Sequence, residues 1–312
     1  MIILSKQQIL DKFNADAITL LLKQGFIAFS QKQVQMPPVQ HLLFEQTNGD
    51  CCIKSGYLQG DRQFVVKVSG GFYDNPAKGL ASNQGLMMAF SAQTGEPQAL
   101  LLDEGWLTAL RTALAGRIVA ELCAPKHISA IGIVGTGMQA RLHLTYLKSV
   151  IPCRQLWVWG RSETALEEYR QYAQAEGFEV NITLDAAVLG RHCQFIVTTT
   201  PSREAILQAV DIQPGTHITA VGADGAGKHE LAPELVAKAD KILVDSWEQC
   251  TEFGEISSAF QQRLLAHHTL TEMGTVLAQG VPFRDNEQQI TLADLTGLGI
   301  QDVQIVKGIL GR

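Results

Sequence analysis

The chain has 312 residues, 46% of them hydrophobic, which is enough to bury a large core and to form about two domains. Its net charge is −6 and no Lys/Arg block recurs along it, so the electrostatic footprint of a nucleic-acid binder is missing. No run approaches the roughly 18 apolar residues of a membrane span, and the start Met1-Ile-Ile-Leu-Ser-Lys-Gln-Gln8 predicts no signal peptide.

Ser5 with Gln8 predicts a capping box opening a first helix, and Ala15 to Ser30 a second helix with Ile18, Leu21, Leu22 and Ile27 on one face. Strands are expected at His41–Thr47 and Cys51–Leu58, flanking an Asn48-Gly49 hairpin turn, then at Phe64–Ser69, and in a hairpin of Leu86–Ala92 with Gln98–Asp103. Glu104 to Cys123 has helical spacing, with Leu107, Leu110, Leu114 and Ile118 on its buried side and Pro125 closing it. Beyond it, strands at Ile128–Val134, Gln155–Trp159, Phe195–Thr199, His217–Gly222 and Lys241–Asp245 alternate with helical stretches. One more short strand, Gln289–Leu292, precedes a terminal helix from about Ile300, whose Val303, Val306, Ile309 and Leu310 suit packing on the first domain. The predicted fold is α/β. A Rossmann-like doubly wound parallel sheet at 113–292 joins an α+β N-terminal domain at 1–112, with 293–312 packing back on the latter.

Cys51, Cys52, Cys123, Cys153, Cys193 and Cys250 are scattered without C-x-x-C spacing, which predicts free thiols in a reducing cytoplasm and no metal. His267-His268 reads as a solvated helix end rather than a ligand pair.

The run Ile131-Gly-Ile-Val-Gly135-Thr136-Gly137-Met138-Gln139-Ala140 reads as a buried strand turning into a helix at a dinucleotide's pyrophosphate. Gly135 allows the turn, Gly137 lets the backbone approach the phosphates, and Ala140 lets helix pack on strand. The first N–H groups of the helix then face the anion. At the end of the next strand, Gly160-Arg161-Ser162 offers no carboxylate for a ribose 2′-hydroxyl, whereas Arg161 and Ser162 suit a 2′-phosphate. NADP(H) is therefore expected over NAD(H), the alternative being a turn glycine followed by a solvated Arg. Further cofactor contacts are expected at Thr198, Thr199, Thr200, Val221 and Gly222, in and just after two of the strands.

Three further stretches carry chemistry. Lys67 lies inside the apolar Val65-Val-Lys-Val68 and points away from Val66 and Val68, so burial would require a nearby anion; the alternative is an edge-strand lysine. Arg111 is the one charge in Leu107-Thr-Ala-Leu-Arg-Thr-Ala-Leu-Ala-Gly116 and suits a substrate carboxylate, the alternative being a solvated helix face. Asp224, in Gly222-Ala-Asp-Gly-Ala-Gly-Lys228, follows a strand of the parallel sheet at the crevice where ligands bind; the alternative is a helix cap.

Taken in order, these motifs and the late Asp294-Leu-Thr-Gly-Leu-Gly-Ile-Gln-Asp302 resemble the ornithine cyclodeaminase/μ-crystallin family over nearly the whole chain. Its members include ornithine and lysine cyclodeaminases, alanine dehydrogenases, cyclic ketimine reductases and μ-crystallin. The resemblance implies homodimers joined through N-terminal sheets, with substrate held between the two domains. It implies that Lys67 and Arg111 hold the substrate α-carboxylate, Lys67 also serving catalysis, and that Asp224 is the acid/base residue. It places Thr112, Thr296 and Gly297 at the nicotinamide.

The chain departs from the family pattern in two places. Where many members read Pro-x-Arg it has Pro38-Val-Gln40, and near the family's Met-Pro-Ala-Tyr it has Lys54-Ser-Gly-Tyr57; Gln40 and Lys54 are therefore expected among the substrate-binding residues, with Lys54 a candidate to restore the lost charge. Cyclodeamination is redox neutral and needs no NADPH, whereas ketimine reduction does. The reading is an NAD(P)H-dependent reductase of a cyclic imino acid. The alternatives are ornithine cyclodeaminase, alanine dehydrogenase, or a non-catalytic NADPH- and ligand-binding protein. A small-molecule substrate is expected, and neither nucleic acid nor membrane is an expected partner.

Overall fold

The computed structural model describes residues 1–265 and 270–311, and the His267-His268 pair lies outside the described residues. The chain divides into two compact units, Met1–Arg111 with Leu298–Arg312, and Thr112–Gly297.

The first unit opens with β1 (Ile2–Ser5), a strand that runs parallel to the strand formed by Pro97–Leu102 and that the sequence pattern did not reveal. Helices α1 (Lys6–Lys12) and α2 (Ala15–Ser30) follow, and the Ser5–Gln8 capping box is present. Then come β2 (Val34–Gln35), β3 (Gln40–Phe44), β4 (Gly49–Leu58), β5 (Gln63–Phe72), β6 (Asn83–Ser91) and β7 (Pro97–Leu102). They form one sheet in the order β1-β7-β6-β5-β4-β2, with β3 also on β4. The expected two-residue Asn-Gly turn does not form: Phe44 pairs with Gly49, so the connection is Glu45–Asn48 and Gly49 already belongs to the strand. Asn48 alone takes the left-handed conformation, at φ 45°, whereas a two-residue hairpin turn of that type needs two such residues. Helix α3 (Trp106–Cys123) starts two residues later than expected because Glu104 and Gly105 are both left-handed. The Asp103 carboxylate instead accepts the Leu107 N–H at 2.7 Å. The division between the units falls within α3, after Arg111.

The second unit contains β8 (Ile131–Val134), α4 (Met138–Leu147), β9 (Gln155–Trp159), α5 (Glu163–Ala175), β10 (Glu179–Thr183), α6 (Ala186–His192), β11 (Phe195–Thr198) and β12 (His217–Ala220). It continues with α7 (Pro233–Lys238), β13 (Lys241–Val244), α8 (Trp247–Phe253), α9 (Glu255–Gln261), β14 (Leu270–Glu272), α10 (Met273–Gln279) and β15 (Thr291–Asp294). Among the described residues the eight strands are all parallel, in the order β10-β9-β8-β11-β12-β15-β13-β14. The fold is thus the expected α/β type with a Rossmann-like doubly wound sheet. Both faces are covered: Ile131, Ile133, Phe195 and Val197 pack into one core, and Val134, Ile196, Ile218 and Ala220 into the other. Strand order reverses between β8 and β11, which puts the ligand crevice of such a sheet at their carboxyl ends. Edge strands β10 and β14 were not legible because they are half-exposed and lack an apolar run. The late strand lies two residues beyond its expected position, within this sheet between β12 and β13.

Helix α11 (Gly299–Leu310) belongs to the first unit, where it packs on α2, β4 and β5. Two glycines permit close approach. A Cβ on Gly56 would lie 2.9 Å from the Gly299 carbonyl oxygen, and one on Gly299 2.5 Å from that of Ser55. All six cysteines are free thiols, and no described helix is long and apolar enough to cross a membrane.

Candidate active site

In the first unit, β5 lies between β4 and β6, so Lys67 is on an interior strand and only 1% exposed. The edge-strand reading is thereby excluded. Lys54 on β4 is its cross-strand partner, and Lys54 too is buried. Two like charges directly opposite one another are unfavourable without anions. Arg111 on α3 is buried rather than solvated, and the anion that the sequence could not supply is Asp302, in the first turn of α11. Its Oδ2 lies 3.1 Å from Lys67 Nζ and its Oδ1 3.3 Å from Arg111 Nε. Gln301 Oε1 accepts from Arg111 Nη1 at 3.3 Å and from the Leu298 N–H at 2.7 Å, tying the guanidinium to the start of the same helix.

Burial pushes Lys67 down to about 8, partly opposed by Asp302 and reinforced by Arg111 and Lys54. Asp103, also buried, is raised by desolvation against the pull of backbone N–H groups at the head of α3. Gln40 is exposed on β3 opposite Ile53, and cross-strand partners share a face. It therefore projects away from the face of Lys54, whereas Lys67 and Arg111 meet at Asp302 and Lys67 is also an electrostatic neighbour of Asp103.

In the second unit, Gly135 takes φ 117° and its N–H donates to the Trp159 carbonyl at 2.9 Å. Gly137 is the N-cap of α4, which has no side-chain cap, and a Cβ there would meet nothing within 4 Å. That open approach to a helix N-terminus fits a dinucleotide pyrophosphate. Thr136 is adjacent to Gly160, whose added Cβ would lie 3.0 Å from the threonine methyl. Met138 and Gln139 begin α4, and Ala140 is fully buried with its carbonyl accepting the Tyr169 hydroxyl at 2.9 Å. Arg161 is exposed, and Ser162 is the N-cap of α5, its oxygen accepting the Ala165 N–H at 3.4 Å. The hydroxyl hydrogen of Ser162 is not consumed by that bond.

Thr198, Thr199, Thr200, Val221 and Gly222 lie at the carboxyl ends of β11 and β12. Thr199 Oγ1 donates to the Val134 carbonyl at 3.0 Å, and the Val221 N–H to the Thr198 carbonyl at 3.1 Å. Asp224 follows in an exposed loop, not at a helix N-cap, and its carboxylate pairs with Lys228 at 2.9 Å. Thr112 is half-buried on α3. Thr296 and Gly297 donate to the two oxygens of the buried Asp245, at 2.9 and 2.6 Å, and both accept from Gln249 Nε2.

Sequence reasoning missed a set of buried carboxylates in this unit. Glu230 accepts from Thr198 Oγ1 and from the N–H groups of Thr200 and Gly222, and burial raises it to about 7. Glu255 accepts the N–H groups of Glu230 and Leu231 and is raised by burial and by Glu230. Asp294 accepts the Ile256 N–H, has a buried Oδ1 with no hydrogen-bond partner, and is raised to about 7 by burial. The signal for Asp302 was a carboxylate in a terminal helix whose Ile300, Val303 and Val306 are apolar, and for Glu230 the Gly227-Lys-His-Glu-Leu231 run.

The family model described as ornithine cyclodeaminase/mu-crystallin matches residues 1–312. An uncharacterised cyclodeaminase of Sinorhizobium fredii is 40% identical over 276 residues, 87% of this chain and 83% of that protein. The structure of an archaeal alanine dehydrogenase dimer with bound NAD superposes with a TM-score of 0.90 at 33% identity, covering 100% of this chain and 95% of that one. That of Thermococcus litoralis Δ1-pyrroline-2-carboxylate reductase with NADH and L-proline gives 0.92 at 25% identity, covering 100% and 97%.

Proposed function

Because the chain belongs to the ornithine cyclodeaminase/mu-crystallin family, whose members are NAD(P)-dependent reductases or cyclodeaminases, we propose that it is an NAD(P)H-dependent reductase of a cyclic imino acid. The substrates would be Δ1-pyrroline-2-carboxylate or Δ1-piperideine-2-carboxylate, and the products L-proline or L-pipecolate. The observation that carries this reading is a buried pair of cations in the first unit. Lys67 and Arg111 are both buried and share the carboxylate of Asp302, with Lys54 buried opposite Lys67 on the neighbouring strand. Cations fixed in this way suit a substrate α-carboxylate, which they can bind and orient.

The turn Gly135-Thr136-Gly137, with Met138, Gln139 and Ala140, would hold the pyrophosphate; Gly160, Arg161 and Ser162 the adenosine end; and Thr112, Thr198–Thr200, Val221, Gly222, Thr296 and Gly297 the remainder. The dinucleotide supplies the hydride when bound. The chain's own residues do the rest: Lys67 and Arg111, with Lys54, fix the carboxylate so that the neighbouring C=N carbon has one orientation, and Asp224 holds the proton on the imine nitrogen. Arg161 and Ser162 support NADPH as the better donor, although the superposed structures hold NAD and NADH.

Exposed Leu42, Leu43 and Phe44 on β3 and Ile2 and Ile3 on β1 support a homodimer joined through this unit's sheet. The cyclodeaminase and dehydrogenase relatives keep a second reading in view, the interconversion of an amino acid and its oxo or cyclised product with NAD. Loss of absorbance at 340 nm with NADPH or NADH and Δ1-pyrroline-2-carboxylate tests the proposal, against ammonia release from L-ornithine with NAD⁺ and reductive amination of pyruvate. Turnover of ornithine or pyruvate without imine reduction would overturn it.

A further inference from the structure

We infer that Glu230 is a positioning residue, one buried carboxylate that fastens the Asp224 loop to the strand ends flanking it; this rests on the reading of Asp224 and of those strand ends given above. After β12 ends at Ala220 the chain forms no helix until Pro233, and Asp224 lies within this excursion. Glu230, with no exposed surface, turns its side chain back beneath the loop's beginning. Its Oε2 accepts the Thr198 hydroxyl at 2.7 Å and the Gly222 N–H at 3.0 Å, and its Oε1 accepts the Thr200 N–H at 2.6 Å. Donors from the ends of two neighbouring strands, β11 and β12, thus converge on one side chain.

Gly222 is what admits the carboxylate, because a Cβ at that position would collide with both Glu230 Oε2 and the Thr200 carbonyl. The far end of the loop is fastened by different bonds. The N–H groups of Glu230 and Leu231 donate to Glu255 at 2.8 and 2.9 Å, the His229 N–H donates to the Ser202 carbonyl at 2.9 Å, and the Glu230 carbonyl accepts from Ile206 and Leu207. Between the two anchors, Asp224 and Lys228 close on each other. Asp224 is two residues from the Gly222 anchor, so its carboxylate has little backbone slack.

Only an acceptor on both oxygens satisfies this arrangement. Two of the three donors are backbone N–H groups that cannot reverse their role. A glutamine at 230 would serve one oxygen position and turn its own NH₂ against an N–H at the other.

The test compares the full-length Glu230→Gln and Thr198→Val variants with the parent protein. Amide hydrogen exchange over 198–204 and 221–232, dinucleotide affinity by calorimetry, and the kcat, KM and pH profile of imine reduction are measured. For Glu230→Gln, exchange in both segments should rise at least tenfold and kcat fall at least tenfold. KM for the imino acid should stay within threefold, because Lys67 and Arg111 are untouched, and the shape of the pH profile of kcat should change. A role in folding alone would lower the amount of active protein and leave both the profile's shape and kcat per active site unchanged, which would overturn the inference. Thr198→Val, which removes one donor and keeps the carboxylate, should show the same changes in smaller measure, and it decides the matter if Glu230→Gln does not fold. Unchanged exchange and unchanged kcat in a folded variant would overturn the inference. If the parent protein reduces no imine while exchange still responds as expected, the functional reading fails and the fastening role of Glu230 stands.

Discussion

Replacing Gly137 by alanine separates the fold of the second unit from its cofactor site. Gly137 lies at φ −79°, ψ −167°, a conformation open to alanine, and its new methyl would meet nothing within 4 Å. Two opposing effects then nearly cancel in the free protein: a gain of about 0.4–1 kcal/mol from restricting the unfolded chain, and a loss of about 0.5–1 kcal/mol from placing alanine where an N-cap favours glycine. Stability should therefore change by less than about 1 kcal/mol. Dinucleotide binding should suffer far more, because the methyl would occupy the space through which, on the proposed reading, the phosphates approach the head of α4. Loss of one hydrogen bond to a charged phosphate oxygen, worth about 1.5–3 kcal/mol, raises Kd roughly 10- to 150-fold. Calorimetric titration with NADPH and NADH, beside a thermal melt without ligand, measures both quantities. Gly135→Ala should behave oppositely: its φ of 117° and a Cβ 2.6 Å from Thr199 Oγ1 put strain into the fold itself, at about 1–3 kcal/mol. A folded Gly137→Ala protein with Kd within twofold of the parent would refute the assignment of the turn to the pyrophosphate.

Lys67, pushed down to about 8 by burial, holds a carboxylate only while protonated, so kcat/KM for the imino acid should fall tenfold per pH unit above about 8; Lys67→Arg should extend the plateau, and a parent profile flat to pH 10 would remove Lys67 from substrate binding. Asp302→Asn should destabilise the protein by about 3–5 kcal/mol, since Lys67 and Arg111 would lose their shared anion, and denaturant unfolding of this variant with Lys67→Met, singly and combined, should show strong coupling. Asp294, raised to about 7 from 3.8, keeps a proton in the folded state that the unfolded chain has already released. Stability should consequently decline as pH rises through that window, and Asp294→Asn should lessen the decline and stabilise at pH 8 by at least about 1 kcal/mol, as read by urea titrations at pH 5 and pH 8.

What the sequence by itself determined is the part governed by local chemistry. A β-branched run followed by Gly-x-Gly-x-x-Ala dictates a strand, a tight turn and a helix whatever surrounds them, and the Ser5–Gln8 capping box and the buried face of α3 follow from spacing alone. Lys67 and Arg111 were legible as anomalies, charges set in apolar runs where burial demands a counterion. Only the tertiary structure decided which counterion. Asp302 lies more than two hundred residues beyond Lys67 and reaches it because Gly56 and Gly299 let α11 press against β4. Strand register likewise put Lys54 opposite Lys67 and turned Gln40 to the other face, a choice that a shift of one residue would reverse. The buried carboxylates Glu255 and Asp294 have no local signature, and the run around Glu230 does not reveal its burial, because what retains each of them is a set of N–H donors that only the folded chain brings together.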